Sequence, residues 1–238
     1  MVKQGKKYRS ALEEVEETIL YSPEDAIALA KKVSKRNFDE AVELHIVTSA
    51  DPRHSDQQVR GFAELPHGTG KQVRILVFAE GDAANDAKEA GADMIADQDI
   101  IQKIESGWSE FDVSIATPDQ MSKIGKLGRY LGRKGLMPNP KTGTVVQGKD
   151  ISKAINASKK GRLEIKMDKT SIIHLRVGTV SFSEEQLQEN LTSIMTTLVT
   201  SRPDGIKGKF LKKATMATTM GPGIKIDITG LENMVANN

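Results

Sequence analysis

The sequence contains no cysteine, only 4% aromatic residues and no apolar run long enough to cross a membrane. Without cysteine, disulfides, thiolate metal ligands and a cysteine nucleophile are excluded, and a reducing compartment is favoured. The scarcity of aromatic residues excludes an aromatic-rich interaction surface. The basic first residues are followed by acids between Glu13 and Glu17, not by an apolar segment, so they do not form a signal peptide. We therefore expect a cytoplasmic protein with no membrane segment.

Signals of catalysis and of bound cofactors are also weak. The stretch Gly68-Thr69-Gly70-Lys71 resembles part of a phosphate loop, but Leu65 replaces the required glycine and Gln72 replaces the hydroxyl residue that binds magnesium. The four histidines are scattered, and no G-x-S-x-G motif is present. We predict a protein that is not an enzyme and that uses no metal and no cofactor. The alternative is a nucleotide- or phosphate-using enzyme built on the middle of the chain.

The charge is distributed unevenly although the net charge is only +2. Residues 123–169 contain thirteen Lys or Arg against three acids, whereas residues 80–119 contain eleven acids against two lysines. Such separation produces a local positive field that a polyanion can sense. The pattern favours nucleic acid as the partner, and a solvated charged surface is the alternative.

The first and last parts of the chain share one pattern, in which amphipathic helices occur with strands that have one exposed face. Ser22-Pro23 predicts the start of a helix, and the alternation of Val42, Leu44 and Ile46 with polar residues predicts a strand with one wet face. In the last part, Ser183 predicts a capping box that opens an amphipathic helix. Further strands are predicted over Arg162–Met167, Ile172–Val177, Lys213–Met220 and Ile224–Ile228, the first two as an antiparallel pair joined across residues 168–171.

The middle part has a different pattern. Val73–Ala79 is a nearly continuous apolar run, as strands covered on both faces require. Helices over Gly81–Ala90 and Asp97–Ser106, a strand over Asp112–Ala116 and a capping box at Thr117–Gln120 follow. This alternation of strands and helices indicates a small parallel sheet.

The two sequence patterns, one at the ends of the chain and one in its middle, predict two domains of α/β and α+β class. Residues 1–67 and 159–238 would form one discontinuous α+β domain, a sheet with two helices on one face. Residues 68–158 would form an inserted Rossmann-like domain of three α/β layers.

Three stretches point to RNA, each with a simpler alternative. Residues 124–144 place cations among glycines, which lets backbone amides and side chains approach phosphates, or else form a Gly-rich loop with solvated charges; the cations are Lys126, Arg129, Arg133, Lys134 and Lys141. Residues 218–223, Thr-Thr-Met-Gly-Pro-Gly, offer hydroxyls and close backbone approach, or a plain hairpin turn. Phe38, beside Arg36, offers stacking, or a core aromatic at a helix end.

Together with Ser55–Gly61 and the Leu65-Pro66-His67-Gly68-Thr69-Gly70 motif, these stretches resemble the bacterial ribosomal protein L1 family, the stalk proteins of the large subunit. The resemblance runs from about Tyr8 to Ile228. It implies an outer split domain that grips large-subunit rRNA (23S-type) and an inserted Rossmann-like domain.

The resemblance also implies a mobile stalk that helps deacylated tRNA leave the exit site, and repression of translation through the protein's own operon mRNA. The protein would act on the large subunit and be a monomer when off the ribosome. A free regulator that binds only the messenger is a second alternative. Matching positions predict these RNA contacts: Arg36, Phe38, Lys166, Asp168, Lys169, Thr218, Thr219, Met220 and Gly221.

Two departures from the family pattern alter the expected site. Ala41 stands where many members have Thr or Ser, so that a hydroxyl contact is lost. Lys213 replaces a small polar residue and could add a phosphate contact.

Overall fold

The computed structural model describes residues 5–236. These residues form two compact units, one comprising residues 5–70 and 161–236, the other Lys71–Lys160. The strands along the described residues are β1 (Ala41–Thr48), β2 (Arg60–Glu64), β3 (Ile75–Phe78), β4 (Met94–Ile95), β5 (Val113–Ala116), β6 (Arg162–Lys166), β7 (Ile172–Thr179), β8 (Leu211–Thr218) and β9 (Ile224–Ile226). The α-helices are α1 (Lys6–Leu12), α2 (Pro23–Val33), α3 (Asp82–Glu89), α4 (Gln98–Glu105), α5 (Met121–Gly125), α6 (Gly128–Leu131), α7 (Ile151–Lys159), α8 (Glu184–Thr200) and α9 (Ile228–Ala236). The predicted mixture of helices and strands is confirmed.

A four-stranded antiparallel sheet in the order β7-β1-β8-β9 forms the centre of the first unit. Alternate residues of β1, such as Val42, Leu44 and Ile46, are fully buried in one core with apolar residues of α2 and α8. The predicted helix starts are confirmed. The Ser22 hydroxyl accepts a hydrogen bond from the Asp25 amide, and Ser183 forms a complete capping box with Gln186.

The predicted pairing of the strands after residue 161 is wrong. β6 pairs antiparallel with β2 in a separate two-stranded sheet, whereas β7 pairs with β1. The two segments that were expected to form a hairpin share an isolated antiparallel bridge between Met167 and Ile173 and a hydrogen bond from the Asp168 amide to the Ile172 carbonyl, but no ladder of paired strands. The amphipathic pattern of each strand was visible, but the partner lies about 100 residues away in sequence for β6 and about 130 for β7, which local patterns do not encode.

The second unit contains a parallel three-stranded sheet in the order β4-β3-β5. Every residue of the central strand β3 is buried, because its two faces enter different cores. Ile75 and Val77 pack with residues of α3 and α7, and Leu76 and Phe78 with residues of α4, α5 and α6. The apolar run predicted as a doubly covered strand is thereby explained.

One local prediction for this unit is wrong. Thr117 makes no capping hydrogen bond through its side chain, and a short 3-10 helix, Pro118–Gln120, follows it instead. The glycine-rich stretch is helical as far as Lys134, in α5, α6 and a 3-10 turn, and its remaining residues are irregular apart from a second 3-10 turn, Pro140–Thr142. Among residues 5–236, no helix combines the length and the apolar character that a membrane crossing requires.

Candidate nucleic-acid interface

The face of the four-stranded sheet opposite α2 and α8 is partly exposed, and we call it the open face. The residues of β1 that alternate with the buried ones, Ala41, Glu43, His45 and Val47, lie on it. In register with His45 lie His174 of β7 and Thr215 of β8. The open face is therefore polar and offers imidazole, hydroxyl and charged groups in rows across the strands.

The loop before β1 and the turn after β8 are hydrogen-bonded together. The Thr219 amide donates to the Ala41 carbonyl at 3.1 Å, and the Ala41 amide donates to the Thr219 hydroxyl oxygen at 3.0 Å. Glu40 is 1% exposed, and its two carboxylate oxygens accept from the Met220 amide at 2.9 Å and the Ser34 hydroxyl at 2.7 Å. A buried carboxylate with two donors fixes this loop and this turn relative to each other.

The turn over residues 218–221 requires glycine at its last position. The Gly221 amide donates to the Thr218 carbonyl at 3.0 Å, which closes the turn. A Cβ at Gly221 would overlap the Thr218 hydroxyl oxygen. Thr218 itself is 4% exposed, and its hydroxyl has no hydrogen-bond partner among the described residues. Thr218 therefore shapes the turn from within and does not present its hydroxyl at the surface.

Phe38 and Met220 are the large apolar side chains at this end of the sheet, and they are 54% and 50% exposed. Phe38 lies two residues before Glu40, whose carboxylate holds the Met220 amide. We call Phe38, Thr219, Met220 and Gly221 the apolar tip. The structure thus brings the predicted aromatic and the predicted Thr-Met-Gly turn to one end of the sheet. Exposed apolar groups gathered at one place are a common mark of an interaction surface.

The segment between α2 and β1 is also tied to the end of β7. The Asp39 carboxylate accepts from the Ser181 amide at 3.0 Å and from its hydroxyl at 2.8 Å. Burial alone would raise the pKa of Asp39, but the hydrogen bonds from Ser181, together with Thr179 and the charge of Arg176, lower this pKa. Asp39 is therefore a charged anchor, and Arg36 lies half-buried in the same segment.

The other predicted contacts lie in a turn at the opposite end of β1, which we call the Asp168 turn (residues 166–171). The Asp168 carboxylate accepts from the Thr170 amide and the Ile172 amide, both at 2.8 Å, and from the Thr170 hydroxyl at 2.6 Å. These bonds, the one from the Thr170 hydroxyl first, lower the pKa of Asp168 from 3.8 to about 2. Lys166 and Lys169 are exposed on either side of this carboxylate.

The predicted contact residues therefore form two groups, not one cluster. The apolar tip adjoins Ala41 and the Asp168 turn adjoins Thr48, because the Thr48 amide donates to the Ser171 carbonyl. Ala41 and Thr48 are the first and last residues of β1, so the two groups are roughly 23 Å apart at about 3.3 Å per residue. The open face lies between them.

A pair of histidines occupies the middle of the open face. The Nδ1 atoms of His45 and His174 are 2.9 Å apart, a distance at which one ring donates to the other. Burial, and then the charge of His174, lower the pKa of His45, while Glu43 acts in the opposite direction. His45 is therefore neutral at pH 7 and contributes no charge to the face at that pH.

In the second unit, the cations of the glycine-rich stretch are spread over short helices. Lys123, which directly precedes the stretch, forms an ion pair with Glu80 at 2.5 Å, and the Lys134 ammonium donates to the Ser109 hydroxyl at 2.5 Å. Lys126, Arg129 and Arg133 are exposed. The side chain of Lys141 lies outside the described part of the structure.

Sequence reasoning missed the anchors of the apolar tip: Ser34, Asp39 and Glu40. Two acids directly after a predicted contact aromatic, in a basic segment, were the available signal. The roles of Asp39 and Glu40 depend on donors that lie more than 140 residues away, in residues 181 and 220.

Comparison with known proteins gives the family. Residues 30–222 match the ribosomal protein L1p/L10e family. The chain belongs to this family. The chain is 50% identical over 234 residues to the large ribosomal subunit protein uL1 of Dehalococcoides mccartyi (strain CBDB1), covering 98% of this chain and 99% of that protein.

Further relatives carry the same name. The uL1 protein of Thermomicrobium roseum is 52% identical over 229 residues, 96% of this chain and 95% of its own length. That of Chloroflexus aurantiacus is 48% identical over 237 residues, 99% of this chain and its full length. The predicted family and the prediction of a ribosomal protein that is not an enzyme are confirmed.

Proposed function

We propose that this protein is a constituent of the large ribosomal subunit in the cytoplasm and binds large-subunit rRNA through the open face, the apolar tip and the Asp168 turn. The observation that carries the proposal is the joint exposure of Phe38 and Met220 at one sheet end, held in place by buried Glu40. Fixed hydroxyls, backbone amides and an apolar pair suit a folded RNA, which is recognised mainly by shape. The names of the uL1 relatives support the same assignment.

In this proposal the predicted contacts have different tasks. Phe38 and Met220 lie against a base or ribose, and Gly221 allows close approach of the backbone. Thr219 fixes the turn through its two hydrogen bonds with Ala41. Thr218 is buried and supports the turn from the interior. Lys166, Lys169 and Arg36 neutralise phosphates, while Asp168 holds the two lysines in a rigid turn.

We also propose the domain assignment: a discontinuous RNA-binding domain over residues 1–67 and 159–238, with a Rossmann-like domain inserted at 68–158. The division into compact units after Gly70 and after Lys160 supports it, as does the parallel order β4-β3-β5. The basic residues of the inserted domain would attract tRNA at the exit site and assist its release, as part of a mobile stalk.

A second role, repression of translation by binding the protein's own operon mRNA, would use the same surface. The resemblance to the bacterial family supports it. The protein would reach either RNA as a monomer. An rRNA fragment that competes with the messenger for the protein would establish that one surface serves both.

The direct experiment is sedimentation of the purified protein with large subunits that lack it, followed by nuclease protection of the rRNA. We expect stoichiometric binding and one protected rRNA segment. Binding without a protected segment, or no binding to the subunit, would contradict the proposal. The Glu40→Ala variant sharpens the test, because it leaves the Met220 amide and the Ser34 hydroxyl without their acceptor and should weaken protection at the apolar tip.

A further inference from the structure

Four lysines line a groove at one side of the four-stranded sheet. Lys209, Lys212, Lys213 and Lys225 surround a space of about 440 Å³, together with Leu20 and Asp227. All four lysines are exposed. We call this the lysine groove. Of these four lysines, the sequence predicts an RNA contact for Lys213 alone.

A β-bulge creates the density of charge in this groove. Val47 of β1 pairs with Lys213, but the next residue, Thr48, pairs with Leu211, so Lys212 is an extra residue in β8. In a regular strand, neighbouring side chains point to opposite faces. The bulge allows Lys212 and Lys213 to be exposed together.

The charge of the groove is not neutralised within the described part of the chain. Elsewhere, lysines pair with carboxylates, as Lys71 does with Asp112 and Lys35 with Glu14. None of the four groove lysines lies within 4.0 Å of a carboxylate of residues 5–236.

The acid that lines the groove is already engaged. The carboxylate of Asp227 accepts from the amides of Thr229 and Gly230 and thereby caps the start of α9. The Lys225 ammonium donates to the Glu17 carbonyl, which leaves its charge uncompensated. A set of cations that the protein does not pair suits an anionic ligand.

The position of the groove connects it to the open face. Lys213 lies beside Val47 on that face, and Lys225 is in register with Thr215, the neighbour of His45. An RNA that covers the open face can therefore continue past β9 into the groove.

We propose that the lysine groove binds the phosphodiester backbone of an RNA segment that flanks the element held by the open face. The inference rests on the proposed function and extends it. The groove contains no aromatic side chain, and its apolar contribution comes from side chains such as Leu20 and Ile228. Contacts of this kind add affinity without reading bases, so the flanking segment is bound whatever its sequence.

The test uses the full chain and two RNAs. One is the protected rRNA fragment, and the other is the same fragment lengthened at each end by about ten nucleotides, enough to fill a groove of this size. Three variants are compared with wild type: Lys209→Gln/Lys212→Gln, the same two positions changed to Arg, and Lys88→Gln/Lys103→Gln, which removes equal charge from the second unit. Lys213 and Lys225 are left unchanged because both lie on the open face.

We expect wild type to bind the longer RNA at least about tenfold more tightly at low salt, with a salt slope steeper by about 1.4 to 1.8 for two phosphate contacts. The groove Gln variant should lose this difference and bind the short fragment as wild type does. The Arg variant and the second-unit variant should retain it. An equal loss on both RNAs, or no gain from lengthening in wild type, would overturn the proposal.

A separate arm tests the groove without the rRNA element. Oligouridylate should bind wild type weakly, with an affinity that falls with salt, and the groove Gln variant should bind it several-fold more weakly. If rRNA recognition fails while this difference persists, the proposed function is wrong and the groove stands. If oligouridylate binds both proteins equally, the groove is not a backbone site.

Discussion

The two ends of strand β1 carry surfaces built in the same way but with different chemistry. At each end a carboxylate accepts several hydrogen bonds and fixes a turn: Glu40 at the apolar tip and Asp168 in the other turn. At the tip the exposed groups are a phenyl ring and a thioether, whereas at the Asp168 turn they are two ammonium groups.

The difference teaches that rigidity and recognition are supplied by separate residues. The buried or multiply bonded acids are structural, and the residues beside them decide what is bound. An apolar tip gains affinity from desolvation and stacking, which salt hardly changes. Lysines gain affinity from the release of counterions, which salt changes strongly. Substitutions at the two ends should therefore differ in salt dependence as well as in size.

The largest effect is expected from Met220→Asp. This change desolvates a carboxylate near the negatively charged RNA backbone, at a position where wild type lays an apolar group against a base or ribose. We expect rRNA binding to weaken by about 3 kcal/mol, roughly a hundredfold, in a filter-binding or calorimetric titration. Met220→Leu preserves the apolar volume and should bind nearly as wild type does. Wild-type affinity in the Asp variant would show that the tip does not face RNA.

Phe38→Ala should have the next largest effect. The loss of one stacking side chain costs about 1–3 kcal/mol of binding free energy, and the slope of log affinity against log salt should stay unchanged. Phe62 provides a matched control, because it is an exposed phenylalanine in β2 that lies beneath the Arg162 guanidinium at 3.6 Å. Phe62→Ala should leave RNA affinity unchanged. Equal losses in the two variants would point to a general effect on folding.

Lys166→Gln/Lys169→Gln tests the opposite end. We expect a smaller loss of affinity at moderate salt, and a salt slope that is shallower by about 1.4 to 1.8 for two phosphate contacts. A change in slope at this end, with none in Phe38→Ala, would establish the division of tasks. If both variants change the salt slope equally, the two ends do not differ in how they bind RNA.

The smallest expected effect is on how the free energy of unfolding changes at acidic pH. The pKa of Asp168 is lowered in the folded protein to about 2 from 3.8, so its contribution is present above pH 3.8 and is lost as pH falls toward 2. The Asp168→Asn variant should therefore show a weaker decline in the free energy of unfolding between pH 4 and pH 2, measured by denaturant titration. The effect should be small because the Asp168 side chain is 38% exposed. If the free energy of unfolding declines equally in both proteins, Asp168 does not contribute to this pH dependence.

The sequence allowed prediction of those features that depend on local order. Ser22 and Ser183 cap their helices as expected, because the capping hydroxyl and the amide that donates to it are three residues apart. The alternation in β1 gave the buried face correctly. Features that depend on distant partners could not be read: the pairing of β6 with β2, the bulge at Lys212, and the contact of Glu40 with the Met220 amide.

The candidate site residues show the same division between features set by local sequence and features set by distant partners. The residue types of the apolar tip were recognisable from their motifs, but the burial of Thr218 was not, because it arises from packing of β8 in the sheet. The separation of the tip from the Asp168 turn follows from the length of β1, which lies between them. The assignment of either group to RNA stays a prediction until it is measured.

The order β7-β1-β8-β9 has a consequence for biosynthesis. The strand made first among these four lies between two that are made more than 120 residues later, so β1 has no neighbour in its sheet until β7 leaves the ribosome. The second unit, encoded without interruption over Lys71–Lys160, can fold earlier. A growing chain therefore cannot display the apolar tip until residue 221 has emerged, so RNA binding through the tip begins only after β8 and the turn that follows it have been made.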